Sequence, residues 1–239
     1  MAILNKKNIE YVVVIAPDKS SIYRDFLPDF IKASYEKNHR IDQFIDAIKL
    51  ANPQFPIIDL RQTLQNAQKK EVVYQKTDTH WNRRGAHYGY VEIMNYLAKK
   101  NKKFTPKYRN EFIDKVDEYI RGDISDIMGV KTTNLNYDLT AKFKLNTASF
   151  EPSKQEKADF HNPFFIKNEN PNLPILFAFK DSFFADLFWL VAEHFSTTYS
   201  INESPCDIDI SRISTYNPNV VIHEFWEGRI ELILNRCKK

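Results

Sequence analysis

The sequence predicts an α/β fold, a three-layer doubly wound domain built on a mostly parallel sheet. The first observation is that short apolar runs of strand length alternate with amphipathic runs of helix length, which is the order of βα units. The second is that several strand runs are apolar throughout, as expected for strands buried on both faces. A polar segment around 131–170 interrupts this order and predicts an inserted hairpin or a long loop.

The individual elements follow from the same periodicities. The predicted strands are Tyr11–Ala16, Phe55–Leu60, Glu71–Gln75, Pro174–Lys180 and Asn219–Phe225. The predicted helices are the runs 29–37, 40–51, 82–100, 182–195 and 229–236. Asn82 is a suitable N-cap for the third of these helices. Since no second apolar core is visible, we interpret residues 1–239 as a single domain.

Composition excludes several classes of function. The net charge of +3 is too small to predict nucleic-acid binding, and five glycines form no phosphate-binding motif. Cys206 and Cys237 do not form a C-x-x-C pair, so a zinc ribbon or a thioredoxin-like site has no support, while a disulfide between them stays open. The early apolar run "YVVVIA" has the length of a strand and not of a membrane helix. We therefore expect a protein that is either cytoplasmic or has lost a targeting segment.

Two polar clusters follow predicted strands, where ligands bind in open α/β sheets. Asp78 and His80 come after the strand Glu71–Gln75, and Ser182 comes after Pro174–Lys180. A serine hydroxyl needs a base to become a nucleophile, and histidine is the usual base. A carboxylate on the other ring nitrogen fixes the tautomer. The sequence thus predicts a triad of Ser182, His80 and Asp78, with backbone N–H groups at the helix start facing a developing oxyanion.

Structural explanations exist for the same residues. Asp78 and Ser182 are also suitable helix caps, and His80 is also consistent with a surface histidine. A metal site on His80 and His87 lacks a third ligand at a recognised spacing, so we predict no metal.

Several segments together resemble the alginate O-acetyltransferases of the AlgX and AlgJ type, which are SGNH-hydrolase-like. "DTHWN" at 78–82 resembles the family's D-x-H-W signature, and the Asp and His precede the serine, as in this circularly permuted family. The other similar segments, in the family's order, are Val12–Pro28, Arg121–Gly129, Phe179–Phe184 and Asn217–Arg229.

The resemblance implies more than the triad. It implies that Ser182 carries the acetyl group, that His80 is the base and that Asp78 orients it, with Trp81 and Arg229 as contacts for the substrate. It also implies an exported or cell-envelope polysaccharide as acceptor and an acetyl donor delivered by a membrane-bound O-acyltransferase partner, with no cofactor. The periplasm or the cell envelope is the implied location.

Two other functions stay open. A carbohydrate acetylesterase would use the same triad with water as acceptor. A polysaccharide-binding or assembly module would retain the fold without turnover.

Overall fold

The computed structural model describes residues 4, 6–35, 39–119, 122–130, 134–142, 163–202 and 210–236. Cys206 and Cys237 lie outside these residues. The strands are β1 (Glu10–Ala16), β2 (Ile57–Asp59), β3 (Phe112–Tyr119), β4 (Asn134–Ala141), β5 (Phe164–Lys167), β6 (Ile175–Lys180), β7 (Thr197–Asn202) and β8 (Val220–Trp226).

The α-helices described are α1 (Lys19–Ile22), α2 (Asp29–Tyr35), α3 (Arg40–Ala51), α4 (Arg61–Ala67), α5 (Arg83–Ala98), α6 (Asp123–Ile127), α7 (Ala185–Ala192), α8 (Ile210–Thr215) and α9 (Ile230–Arg236). Short 3₁₀ turns occupy Arg24–Phe26, Lys102–Phe104, Arg109–Glu111, Ser182–Phe184 and Glu227–Arg229. None of the helices in the described ranges combines the length and the apolar character needed to cross a bilayer.

The predicted fold class is confirmed. Six strands form one sheet in the order β2-β1-β8-β6-β7-β5. The first five are parallel, and β5 is an antiparallel edge strand on β7. Because the parallel strands end at one edge of the sheet, the segments that follow β1, β6 and β8 meet there.

The sheet is covered on both faces, which makes the three layers. Side chains along β1 alternate between two cores: Val12 and Val14 face one, and Val13 and Ile15 face the other. The first core contains apolar residues of α4, α5 and α7, and the second contains residues of α3, α8 and α9. A strand that is buried on both faces needs apolar residues at successive positions, which explains why the run "YVVVIA" could be predicted as a strand.

One strand prediction is wrong, and the buried strand β7 was missed. The run Glu71–Gln75 is not a strand of the sheet, since it makes only an isolated bridge between Tyr74 and Trp81. β7 was not predicted, because its buried positions include Thr198 and Ser200, which do not mark a buried strand in a sequence.

The predicted insertion around 131–170 is described only at its ends. β4 lies there as expected, but it pairs with β3, which precedes the insertion, and the two form a separate antiparallel sheet. β5 joins the edge of the main sheet. Residues 131–133 and 143–162 lie outside the described residues.

Candidate active site

Ser182 lies two residues after the end of β6, at the edge where the parallel strands end. Asp181 shapes this turn: its side chain accepts hydrogen bonds from the backbone N–H of Phe183 at 2.9 Å and from that of Trp226 at 2.7 Å. Its own N–H donates to Glu224 at 3.1 Å. Burial raises the pKa of the Glu224 carboxyl well above its usual value. Asp181 thereby joins the turn to β8 and leaves the Ser182 side chain exposed.

His80 is presented by a narrow loop that leads into α5. Within it, the N–H of Gln75 donates to the carbonyl of His80 at 3.2 Å, and the N–H of Asn82 donates to that of Val73 at 3.0 Å. The side chain of Asn82 caps α5 by accepting the N–H of Gly85 at 3.0 Å, as predicted, and also donates to Val72 at 2.9 Å. The helix start therefore fixes the position of the loop.

The structure brings the three predicted side chains into one hydrogen-bonded chain. His80 Nε2 lies 2.8 Å from Ser182 Oγ, and His80 Nδ1 lies 2.6 Å from Asp78 Oδ1. The His80 and Asp78 side chains are 31% and 14% exposed. This is the order of contacts in which a carboxylate orients an imidazole and the imidazole takes the proton of a serine hydroxyl.

The charges of the site support this arrangement. Burial alone would raise the pKa of Asp78, but hydrogen bonds from the His80 side chain and from the backbone of His80 and Asp123 outweigh it and hold the pKa at about 2. The hydrogen bond to Asp78 is the largest influence on the His80 pKa and raises it above the usual value, against burial. Asp78 is therefore ionised at physiological pH and stabilises the charged imidazole.

The turn that carries Asp78 is held from two sides. On one side the Lys19 ammonium, at the start of α1, donates to the carbonyls of Gln75, Lys76 and Asp78 at 2.6, 2.7 and 3.0 Å. On the other side the start of α6 approaches, and the N–H of Asp123 donates to Asp78 Oδ2 at 3.2 Å.

Lys19 and Asp123 were not identified as site residues from the sequence. Lys19 belongs to the segment Val12–Pro28 and Asp123 to Arg121–Gly129, both of which resemble segments of the family. That similarity was the available signal, but it assigned no role to either side chain.

Trp81 does not have the predicted position. Its side chain is only 1% exposed, and its indole N–H donates to the carbonyl of Phe183 at 3.0 Å. It therefore offers no surface to a polysaccharide and instead packs the His80 loop against the serine turn. This corrects the expectation that Trp81 contacts substrate.

Arg229 lies beside the serine turn, as an ion pair with Asp181 at 3.4 Å between Nε and Oδ2. Its side chain is 37% exposed, so the guanidinium is accessible from solvent. A contact between Arg229 and substrate stays a prediction.

The oxyanion donors are fewer than the sequence suggested. Ser182 opens a three-residue 3₁₀ turn and not an α-helix, and the N–H groups of Phe183 and Phe184 both donate to Asp181. Among the contacts of the described residues, the N–H of Ser182 itself has no acceptor. It is the backbone donor of this turn that stays available to an oxyanion.

Asp78, His80 and Asp123 also lie close enough to share a cation, with one ligand atom from each within 4.8 Å of the others. His80 Nδ1 and Asp78 Oδ1 are hydrogen-bonded to each other, and the Asp123 carboxylate accepts from the N–H and the hydroxyl of Thr79. We therefore treat the cluster as a hydrogen-bond network, and the expectation of no metal stays a prediction.

We expect Asn82→Ala to lower the free energy of unfolding by about 1–2 kcal/mol, because the cap of α5 and the bond to Val72 are both lost. For a chain of this size the melting temperature should fall by roughly 2–4 °C per kcal/mol. Asn101→Ala, which removes an exposed cap from the turn Lys102–Phe104, is the matched control and should have a smaller effect. Equal melting temperatures for the two variants would contradict this account of Asn82.

The fold and this arrangement of side chains define an α/β protein whose Ser182, His80 and Asp78 follow the order of contacts found in serine hydrolases. Comparison with protein-family models is more specific. The model described as "SGNH hydrolase-like domain, acetyltransferase AlgX" matches residues 1–171, and the chain belongs to this family. The matched stretch contains Asp78, His80 and Asp123 and ends before Ser182, which the fold and not the family match places in the site.

Solved structures share the fold at low sequence identity. PatB1 from Bacillus cereus is 18% identical with a TM-score of 0.67, over 96% of this chain and 86% of that one. The O-acetyltransferase domain of Pseudomonas putida AlgJ is 16% identical with a TM-score of 0.61, over 95% and 78%. AlgX from Pseudomonas aeruginosa is 16% identical with a TM-score of 0.56, over 93% and 52%. No curated protein sequence matches the chain significantly.

Proposed function

We propose that this protein is a serine-dependent O-acetyltransferase that acts on an exported or cell-envelope polysaccharide through an acetyl-Ser182 intermediate. The observation that carries the proposal is the chain of contacts from Ser182 Oγ to His80 and from His80 to Asp78, at 2.8 and 2.6 Å. It occurs in a member of an acetyltransferase family with the fold of an AlgJ O-acetyltransferase domain.

In the first half-reaction Ser182 Oγ attacks the carbonyl carbon of the acetyl donor. His80 Nε2 takes the hydroxyl proton as the bond forms, and the N–H of Ser182 faces the oxyanion. When the tetrahedral intermediate collapses, the leaving group takes that proton from His80, and the acetyl group remains on Ser182 as an ester. Asp78 keeps the proton of Nδ1 in place and stabilises the imidazolium without taking its proton.

In the second half-reaction a sugar hydroxyl loses its proton to His80 and attacks the ester carbonyl. The bond between the acetyl carbon and Ser182 Oγ breaks, and Oγ recovers the proton from His80. The products are an O-acetylated sugar and the free serine. Arg229, charged and accessible beside the turn, is our proposed contact for the polysaccharide.

The donor and the location are part of the same proposal. A membrane-bound O-acyltransferase partner would deliver the acetyl group, no cofactor would be needed, and the reaction would take place in the periplasm or the cell envelope. Their support is the family membership.

One observation favours hydrolysis as a second candidate. Ser182 is exposed, and its contact with His80 is open to solvent, so water can reach the place where the acceptor hydroxyl must attack. An enzyme of this geometry without bound polysaccharide should release acetate slowly.

The test is a partition experiment with p-nitrophenyl acetate as donor. We expect nitrophenol release to accelerate when soluble uronic-acid or neutral oligosaccharides are added, since the sugar competes with water for acetyl-Ser182. Mass spectrometry should then detect acetyl groups on the sugar, and Ser182→Ala should give none.

Two other results would replace the proposal. Acetate release that no oligosaccharide changes, with no acetylated sugar, would assign the esterase function. Oligosaccharide binding without any dependence of turnover on Ser182 would assign a non-catalytic binding module.

A further inference from the structure

A second carboxylate lies at the Nδ1 side of His80, beside the one that the triad uses. Asp123 is the first residue of α6, and its Oδ2 is 3.7 Å from His80 Nδ1. Asp78 Oδ1 occupies the hydrogen-bonding position at 2.6 Å. The imidazole therefore faces two carboxylates, one bound directly and one held about an ångström further away.

Thr79, which separates the two triad residues, holds Asp123 in this position. The N–H of Thr79 donates to Asp123 Oδ1 at 2.7 Å, and the Thr79 hydroxyl donates to Oδ2. The same hydroxyl lies 3.4 Å from His80 Nδ1. The N–H of Asp123 also donates to Asp78 Oδ2, so three hydrogen bonds join Asp123 to the Asp78–Thr79 segment.

The backbone around Asp123 fits this turn closely. The N–H groups of Ile124 and Ser125 donate to the carbonyl of Thr77 at 3.1 and 3.2 Å. A Cβ on Gly122 would lie 2.1 Å from that same carbonyl oxygen, so only glycine allows α6 to approach so near. The position of Asp123 relative to His80 is therefore fixed by backbone contacts and not by a flexible side chain alone.

We infer that Asp123 is a positioning residue, which holds the Asp78–Thr79–His80 turn and presents a second negative charge to the imidazolium that forms at His80. The link to catalysis rests on the proposed acetyl transfer. The effect of Asp123 on the protonation of His80 does not depend on that proposal, because it is a property of the protein without substrate.

Other charged groups near His80 also influence its pKa. Asp78 contributes most to raising the pKa of His80, and Asp123 and Asp181 add to this through their charges, while burial opposes it. Asp186 is also near enough to interact with His80 by charge. Lys19, on the opposite side of the turn, interacts with both Asp78 and Asp123.

The variant that isolates the charge is Asp123→Asn. An amide can still accept the Thr79 N–H, so the turn keeps its shape while one negative charge is removed. Asp126→Asn is the matched control, because Asp126 belongs to the same helix and is exposed. Asp123→Ala removes the acceptors as well as the charge.

We expect the pH–rate profile of Asp123→Asn to move to lower pH on its acidic side. Without the second carboxylate the imidazolium is less stable, so His80 becomes neutral at lower pH. The plateau rate should fall by about 10–100-fold, the range seen when a carboxylate that orients a metal-bound histidine is removed. The fall should be larger for Asp123→Ala, and Asp126→Asn should resemble the wild type.

A second readout does not depend on turnover. Histidine NMR titration of the Ser182→Ala protein, with and without Asp123→Asn, follows the protonation of His80 directly. A lower pKa of His80 in the double variant is the expected result. If the wild type proves inactive, the proposed function fails, and this titration still decides the role of Asp123.

The proposal is overturned if His80 titrates at the same pH with aspartate and with asparagine at position 123. It is also overturned if Asp123→Asn loses activity with an unmoved pH profile and a lowered melting temperature, since Asp123 would then be only a structural contact. A shift of the same size in Asp126→Asn would equally overturn it, because any charge on α6 would then be sufficient.

Discussion

Replacement of Ser182 by alanine is expected to abolish acetyl-enzyme formation. Wild-type protein mixed with p-nitrophenyl acetate should give a burst of nitrophenol and gain the mass of one acetyl group at Ser182. The variant should give neither, because in this site the hydroxyl bound to His80 is the atom that attacks. Loss of a triad nucleophile has cost about 10⁶-fold in a serine protease, which sets the scale of the expected effect.

The matched control for this prediction is Ser196→Ala. The Ser196 hydroxyl donates to the carbonyl of Pro174 at 3.2 Å, next to the start of β6 and at the opposite end of that strand from Ser182. Burst and adduct should be retained in this control. A burst that survives in Ser182→Ala, with the acetyl group on another residue, would show that Ser182 is not the nucleophile.

Asp78→Asn should lower the rate by about 10⁴-fold, the effect of the equivalent change in a serine protease. Asp78 Oδ1 accepts the backbone N–H of His80 at 2.9 Å and also contacts Nδ1 at 2.6 Å, so an asparagine that turns its amide nitrogen toward Nδ1 gives up the backbone contact. An amide N–H directed at Nδ1 favours the tautomer whose proton is on Nε2, and that tautomer cannot accept the proton of Ser182.

The pH dependence should separate the two triad partners. The His80 pKa is raised above its usual value, so the wild-type rate should increase as the pH rises through that raised pKa, because only neutral imidazole accepts a proton. Asp78, with a pKa of about 2, stays ionised throughout this range.

Asp59→Asn is a suitable control for Asp78→Asn, since Asp59 is also a paired carboxylate but contacts Arg61 at the end of β2. Normal turnover in folded Asp78→Asn protein would leave Asp78 with only a turn-stabilising role.

The central part of the fold was predictable because its strands are buried on both faces. β1 and β6 contain continuous apolar runs, β8 begins with the apolar residues Val220–Ile222, and the amphipathic pattern together with Asn82 indicated α5. The run Glu71–Gln75 has the same local character, but among the residues that the structure describes it forms one isolated bridge, between Tyr74 and Trp81, and joins no sheet. Periodicity reports that a segment is extended and buried, and it does not report what lies beside it.

The site residues that lie close together in the sequence could be predicted from short motifs. Asp78 and His80 are two residues apart, and the Asp181–Ser182 pair follows a recognisable strand. Asp123 approaches His80 from a different element, and Lys19 reaches the same turn from the segment after β1. Contacts between distant segments depend on how elements pack, which a single sequence does not encode in any spacing.

Asp123 and Lys19 were missed, whereas Trp81 was assigned a contact with substrate that its burial does not support. A tryptophan beside a catalytic motif suggests a sugar contact, but its neighbours in the chain do not reveal which way the ring points. Here the ring packs edge-on against Phe183, with centroids 5.4 Å apart. Its burial connects the histidine loop to the serine turn, so it supports the site without facing the substrate.

The position of β8 has a consequence for the order of events during synthesis. β8 comes last among the strands but lies in the middle of the sheet, between β1 and β6. His80 and Ser182, 102 residues apart in the chain, are both translated before it. The Trp226 N–H that holds Asp181 also belongs to this late strand. A nascent or clipped chain without β8 should therefore hold an unactivated serine, and the capacity to consume an acetyl donor should arise only when the last strand enters the sheet.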